Sequence, residues 1–319
     1  MRELIIKSND KNQRIDKFLK KIMPEIPSSL IYKYLRKKCV KINGKHCTDG
    51  SYVLQENDVL NLYVNEDFFK TNNPSKHVKF TENSLDIVYE DENILLVNKK
   101  SGQSVHSDEK QKTGTLIDNI ISYLISKGEY NPDDEQSFVP ALCNRLDRNT
   151  SGIVISAKNA QSLREMNQII KEREAIKKYK ALVHGKLTKK SDTLKHFLLK
   201  NETTKEVKVF HRPIENGKTA ILDYNVLSEK KLKDGSIVSE LEVNLHTGRT
   251  HQIRAQLAFI GHSIVGDGKY GKTYSTDKKN GFPHQALCAY SLSFKLNNNY
   301  QLLEYLNGKT FKIEKNFEV

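Results

Sequence analysis

Asn144-Arg145-Leu146-Asp147-Arg148-Asn149-Thr150-Ser151-Gly152 sets one carboxylate between two guanidinium groups, then turns through small polar residues into the apolar run Ile153-Val154-Ile155. On a strand, Arg145 and Asp147 share a face. A neighbouring cation lowers a carboxyl pKa, so Asp147 is expected to be ionised at neutral pH. An ionised, positioned carboxylate can act as nucleophile or as base. A strand-end salt bridge followed by a turn would account for the same nine residues, so the rest of the chain has to decide between the two.

Three other segments have chemical potential. Lys178-Tyr179-Lys180-Ala181-Leu182-Val183-His184-Gly185 carries an aromatic ring on a strand, and an aromatic face can stack on an unpaired base for ~1–3 kcal/mol. His246-Thr247-Gly248-Arg249-Thr250-His251-Gln252-Ile253-Arg254 sets Arg249 at a strand-to-helix turn, where a side chain can point into a cleft. His246 and His251 lack a third ligand at a recognisable spacing, so hydrogen bonding is favoured over a metal. Gly266-Asp267-Gly268-Lys269-Tyr270-Gly271-Lys272-Thr273 satisfies two short phosphate-binding patterns. Those patterns need a strand before them and a helix N-terminus after them. Here a helix ending at Gly261 precedes, and the polar stretch from Tyr274 to Phe282 lacks helical periodicity.

The nonapeptide resembles the active-site motif of RluA-type pseudouridine synthases, His-Arg-Leu-Asp-x-x-Thr-Ser-Gly, with Asn144 at the place of the His. The Tyr179 segment is similar to that family's Tyr-x-Ala-x-Val-x-Gly, and residues 247–254 match its Thr-Gly-Arg-Thr-His-Gln-Ile-Arg without a gap. Weaker matches are Asn98-Lys99-Lys100-Ser101-Gly102, with Lys100 where the family has Pro, and His284-Gln285-Ala286-Leu287-Cys288-Ala289. The resemblance implies that Asp147 is the catalytic carboxylate, that Arg249 pairs with it, and that Tyr179 packs on the target base. It further implies that Arg145 helps hold the flipped nucleotide, that Leu287 packs in the pocket, and that no cofactor or metal is needed. Asn144 can donate a hydrogen bond but cannot titrate.

These residues need a scaffold and a reason to meet RNA. The 319 residues carry 52 Lys+Arg against 39 Asp+Glu, a net charge of +13, which points to a polyanionic partner. Between residues 11 and 45 there are 11 Lys+Arg against 2 Asp+Glu, so +9 of that excess is local. Ile15, Phe18, Leu19 and Ile22 recur at helical spacing and Pro24 stops the helix. Ser28 or Ser29 can cap a second helix, on which Ile31, Tyr34 and Leu35 form the apolar face and Lys33, Arg36, Lys37 and Lys38 offer contacts to phosphate. Asn43-Gly44 signals a hairpin turn. This unit resembles the RNA-binding module named after small-subunit ribosomal protein S-four.

The expected organisation is a basic RNA-binding domain over residues 1–65, a linker over 66–84 and a catalytic domain over 85–319. Strands arrive in runs and not in strict alternation with helices, so the class is α+β. The resemblance implies a catalytic domain with a mixed, largely antiparallel sheet and a central cleft. The four cysteines have neither metal-ligand spacing nor a disulfide framework. No apolar run approaches the ~20 residues of a spanning helix, and a cytoplasmic monomer is expected. The leading reading is isomerisation of specific uridines in RNA, most readily large-subunit ribosomal RNA. A non-catalytic RNA-binding assembly factor is the alternative, and a phosphate-loop NTPase ranks last.

Overall fold

The computed structural model describes residues 1–69, 85–107 and 111–318. Its basic N-terminal segment comprises β1 (Arg2–Ile5), α1 (Ile15–Ile22), α2 (Ser28–Arg36), β2 (Val40–Ile42), β3 (Lys45–His46) and β4 (Val59–Leu62), with the antiparallel sheet ordered β1-β4-β2-β3. The apolar stripe of α1 is buried as its spacing predicts: Ile15, Phe18, Leu19 and Ile22 all face the core. α2 starts at Ser28 itself, with Pro27 flanking it and no side-chain cap. Proline's fixed φ sets up a helix start without a serine hydroxyl. Asn43 and Gly44 both take positive φ, 47° and 78°, as a tight β2–β3 hairpin requires. Glu66–Phe69 is a 3-10 turn, and Phe68 and Phe69 pack on this same core, so the first four residues assigned to the linker are structured. Residues 70–84 of that linker lie outside the described residues.

The remainder contains β5 (Ile87–Glu90), β6 (Ile94–Lys99), α3 (Leu116–Ser126), β7 (Ala141–Leu142), β8 (Ser151–Ala157), α4 (Ala160–Lys171), β9 (Ala175–His184), β10 (Ser191–Lys200), β11 (Val207–Phe210), β12 (Lys218–Lys231), β13 (Ile237–Leu245), α5 (Gln252–Phe259), α6 (Tyr274–Lys279), β14 (Leu287–Phe294) and β15 (Thr310–Lys312). The main sheet runs β11-β10-β12-β13-β9-β14-β8-β6-β5, an α+β arrangement as the strand runs imply. Thr115 and Asp118 cap α3 reciprocally, which satisfies two backbone donors at its start. The stretch after the glycine run does form a helix, α6, but of only six residues.

Among the described pairings, β8 with β14 is the parallel one; all others are antiparallel. This seam joins two half-sheets, and the seam is where the motifs meet. Gly152 on β8 pairs with Ala289 on β14, and Ala289 pairs in turn with Tyr179 on β9. A Cβ at Gly152 would lie 2.3 Å from the Ala289 carbonyl oxygen, and its φ of +121° suits only glycine well. Gly152→Ala is therefore expected to pry the seam open, costing on the order of 3 kcal/mol or more from clash and backbone strain together. Urea unfolding checks this, and an unchanged midpoint would show that the seam can relax.

The N-terminal unit contacts the other core through a loop close to the Arg145–Asp147 motif. Asn9 donates to Glu135 at 2.7 Å, Gln136 to the Ile5 carbonyl at 2.6 Å, and Ser137 to Asp10 at 2.6 Å. That loop leads directly through β7 into Asn144.

Candidate active site

β7 ends at Leu142 and β8 starts at Ser151, so Arg145 and Asp147 lie on a loop and not, as expected, on one strand face. The loop turns because the Thr150 N–H bonds back to the Asp147 carbonyl at 3.0 Å. Its other carbonyls are held from the β6 side. Ser101 donates to Asn149, the Gly102 N–H to Arg148, and the Lys99 ammonium to Arg148 at 2.8 Å. Asn144 accepts from the Ile155 N–H at 2.8 Å and reaches the Ile153 carbonyl. The position where the resembling enzymes carry His is thus spent on fixing the edge of β8, a task that needs no titratable group.

Lys99 is fully buried and also donates to the Lys100 and Gln103 carbonyls, both at 2.9 Å. Burial pushes its pKa down to about 8, with the Asp147 charge opposing the shift, so it stays a cation at neutral pH. Lys99→Met is expected to take the ammonium donor from the Lys100 and Gln103 carbonyls and to leave the Arg148 carbonyl with the Gly102 N–H alone. A loss of ~2–4 kcal/mol in urea unfolding follows. Wild-type stability in the variant would refute this positioning role.

Asp147 lies in a cleft of about 750 Å³ built by the 143–150 loop, the start of β9, the end of β13 and the 246–254 segment. Arg145, Tyr179, Arg249 and Leu287, the other residues picked from the sequence for this site, line it too. Lys33, Arg36, Lys37 and Lys38 do not; they are exposed on α2 and the turn after it. Tyr179 is buried, and its hydroxyl pKa is raised by burial and by the nearby Asp147 charge, so it remains a neutral phenol. Cys143, also in the wall, has its thiol pushed up to about 12 by burial and is no nucleophile at neutral pH.

The partner of Asp147 corrects the expectation. Arg249 sends its Nε to the Thr219 carbonyl at 3.1 Å, whereas Arg254, five residues on and on α5, donates Nη1 to Asp147 Oδ2 at 2.8 Å. The reason is geometric. Arg249 sits in the turn before α5, where Gln252 fixes the backbone by accepting from the Arg249 N–H and the Thr247 hydroxyl. Arg254 stands on the buried side of the helix and reaches across the seam.

Arg254 is itself held by Asp267, whose two oxygens accept Nε at 2.7 Å and Nη2 at 2.9 Å. Asp267 has no exposed surface and also accepts the Lys269 and Tyr270 N–H groups. Burial opposes the charge of both groups, but their pairing outweighs it: the Asp267 pKa falls and the Arg254 pKa rises. The glycine run is therefore no phosphate loop. Gly266 and Gly271 let the chain pass within 2.3 Å and 2.5 Å, measured from an added Cβ, of backbone oxygens while it presents Asp267 to Arg254. His251 donates to or accepts from the Tyr270 hydroxyl at 2.9 Å and lies 3.8 Å from Asp147, while burial lowers its pKa and keeps it neutral. His246 pairs separately with Asp223.

Asp147 is the single carboxylate among the described residues lining this cleft, against six cations: Arg145, Lys171, Arg173, Lys177, Arg249 and Arg254. A cleft of that charge in an α+β protein of net +13 is the footprint of a protein that acts on nucleic acid. Comparison with known proteins gives the particular kind. Residues 93–259 match the RNA pseudouridylate synthase family and residues 13–60 match the S4 domain. An RNA pseudouridine synthase of Mycoplasma capricolum is 35% identical over 318 residues, covering 97% of this chain and 96% of that protein. The ribosomal large subunit pseudouridine synthase C of Pasteurella multocida is 33% identical over 296 residues, covering 92% and 85%. Human RNA pseudouridylate synthase domain containing 1 superposes with a TM-score of 0.54 at 26% identity, covering 68% of this chain and 80% of that one. The chain belongs to the RNA pseudouridylate synthase family, with an S4 domain at its N-terminal end. RNA is its partner, and isomerisation of uridine to pseudouridine is its reaction.

Proposed function

We propose that this protein converts uridines of large-subunit ribosomal RNA to pseudouridine in the cytoplasm, with Asp147 as its essential group. The observation that carries the proposal is the lone carboxylate, clamped by Arg254 and placed beside Tyr179, in a cleft otherwise ringed by cations. The ribosomal substrate follows the names of relatives such as the synthase C of Pasteurella multocida. No helix among the described residues is long and apolar enough to cross a membrane.

A uridine within folded RNA must leave its stack, at a cost of a few kcal/mol. Arg145, exposed at the loop tip, takes the vacated place, and Tyr179 and Leu287 receive the base. Asp147 acts on the ribose as nucleophile or base, and the N1–C1′ bond breaks. The uracil rotates and joins C1′ through C5. The C5 proton is lost and N1 gains one, so the product is an isomer of the substrate. Arg254 keeps the carboxylate aimed throughout. Residues 1–65 grip RNA through Lys33, Arg36, Lys37 and Lys38, and residues 85–319 carry the chemistry. Pseudouridine mapping of ribosomal and transfer RNA, with and without the gene, tests this. The expected result is loss of one or more large-subunit sites; unchanged maps would refute it.

A further inference from the structure

Lys177 has no task in the scheme above, yet it stands beside the reacting base. On β9 it lies two residues from Tyr179 and so on the same strand face, ~6–7 Å along the chain, and both side chains line the cleft. The lysines on the opposite face are occupied: Lys178 pairs with Glu242 at 2.8 Å, and Lys180 donates to the Lys315 carbonyl at 2.9 Å. Lys177 is half-buried, and its ammonium makes no hydrogen bond or ion pair with any described residue. Burial without a partner lowers its pKa.

The neighbouring rim carries a second such cation. Arg173 is exposed in the α4–β9 turn at φ 63° and also lacks a partner among the described residues. The turn is rigidly tied, because the buried Glu174 beside it accepts from the Tyr300 hydroxyl at 2.6 Å, the Asn297 N–H at 3.0 Å and Asn298 Nδ2 at 2.7 Å. A cation held in a cleft without a counter-charge carries a desolvation cost that an incoming anion relieves. One ribose separates a base from its phosphate, and the step from Tyr179 to Lys177 is comparable.

We propose that Lys177, with Arg173 at the rim, forms a phosphodiester subsite that holds the backbone of the flipped nucleotide while Tyr179 holds its base. This rests on uridine in RNA being the substrate of the cleft. The subsite makes the enzyme read a nucleotide within a strand and not a free nucleoside.

The test uses the full chain and a uridine-containing hairpin RNA labelled with tritium at C5. Binding is measured over a salt series for wild type, Lys177→Gln and Lys177→Arg. Loss of one phosphate contact should flatten the slope of log K against log salt by ~0.7–0.9 in Lys177→Gln and leave it intact in Lys177→Arg. A single methylphosphonate next to the target uridine should weaken wild-type binding about tenfold and Lys177→Gln little further. In Lys177→Gln, tritium release should fall more in kcat/KM than in kcat, as loss of a binding contact requires. An unchanged salt slope with equal methylphosphonate sensitivity would overturn the subsite. So would a collapse of turnover with binding intact, which would put Lys177 on the uracil. Absence of tritium release from wild type, with the binding results as expected, would overturn the synthase reading alone.

Discussion

Asp147→Asn is expected to abolish pseudouridine formation, by on the order of 10⁴-fold or more, while leaving the protein folded and RNA-binding. The amide has the carboxylate's shape and keeps an oxygen for Arg254 Nη1, but it has no charge with which to attack or deprotonate a ribose. The fold should tolerate the change within ~1 kcal/mol, because Arg254 is not stranded: its Nε and Nη2 still bond the buried Asp267. The affinity for a hairpin RNA should hold or rise slightly, since the cleft loses its one lining carboxylate and keeps its six cations. Tritium release and equilibrium binding on the same hairpin read both halves. Turnover near wild type in the Asn variant would falsify the assignment of Asp147.

Much of this site was legible in the chain because motif residues are local while their partners are not. Asp147, Arg145, Tyr179 and Leu287 fall together in one cleft, because β8, β14 and β9 are adjacent and Gly152, Ala289 and Tyr179 lie in register. The basic helices were equally plain, since α1 buries its 3.6-residue stripe and leaves its lysines outside. The partner of Asp147 was harder to read. Arg249 and Arg254 belong to one motif, and which of them reaches Asp147 depends on where the turn ends and α5 begins. A residue three places beyond Arg249, Gln252, decides it by caging the turn. Asp267 was hidden for a different reason. Its glycines fit a phosphate-loop pattern, yet the same small residues serve a close backbone approach around a buried carboxylate. One clue was visible: Arg254 lies between Ile253 and Ala255 on a helix with no other charged residue, where an arginine is rarely buried without an acid to meet it. The strand expected for Arg145 and Asp147 gave way to a loop because the carbonyls of Arg148 and Asn149 bond to Lys99, Gly102 and Ser101 and not to a neighbouring strand.

The Asp267–Arg254–Asp147 chain predicts the other large effect, and it separates stability from chemistry. Arg254→Met removes three charge-assisted hydrogen bonds and leaves Asp267, with no exposed surface, facing only two backbone N–H groups. Stranding a buried carboxylate should cost ~3–5 kcal/mol at neutral pH. The sign with pH follows. In the wild type the Asp267 pKa is depressed, so its contribution is full above the unfolded value and is lost as pH falls through the folded one. Without Arg254 burial dominates and raises that pKa, so protonation relieves the strain and the deficit of Arg254→Met should shrink as the pH is lowered. Adding Asp267→Asn should recover a good part of the lost stability, because a neutral amide tolerates the site without a cation. It should recover none of the activity, since Asp147 still lacks its donor. Urea unfolding at pH 7 and pH 5, with tritium release, on wild type, Arg254→Met, Asp267→Asn and the double variant closes the cycle. If the double variant turned over at the wild-type rate, Arg254 would be a scaffold for Asp267 alone, and the aim of Asp147 would have to come from the loop that carries it.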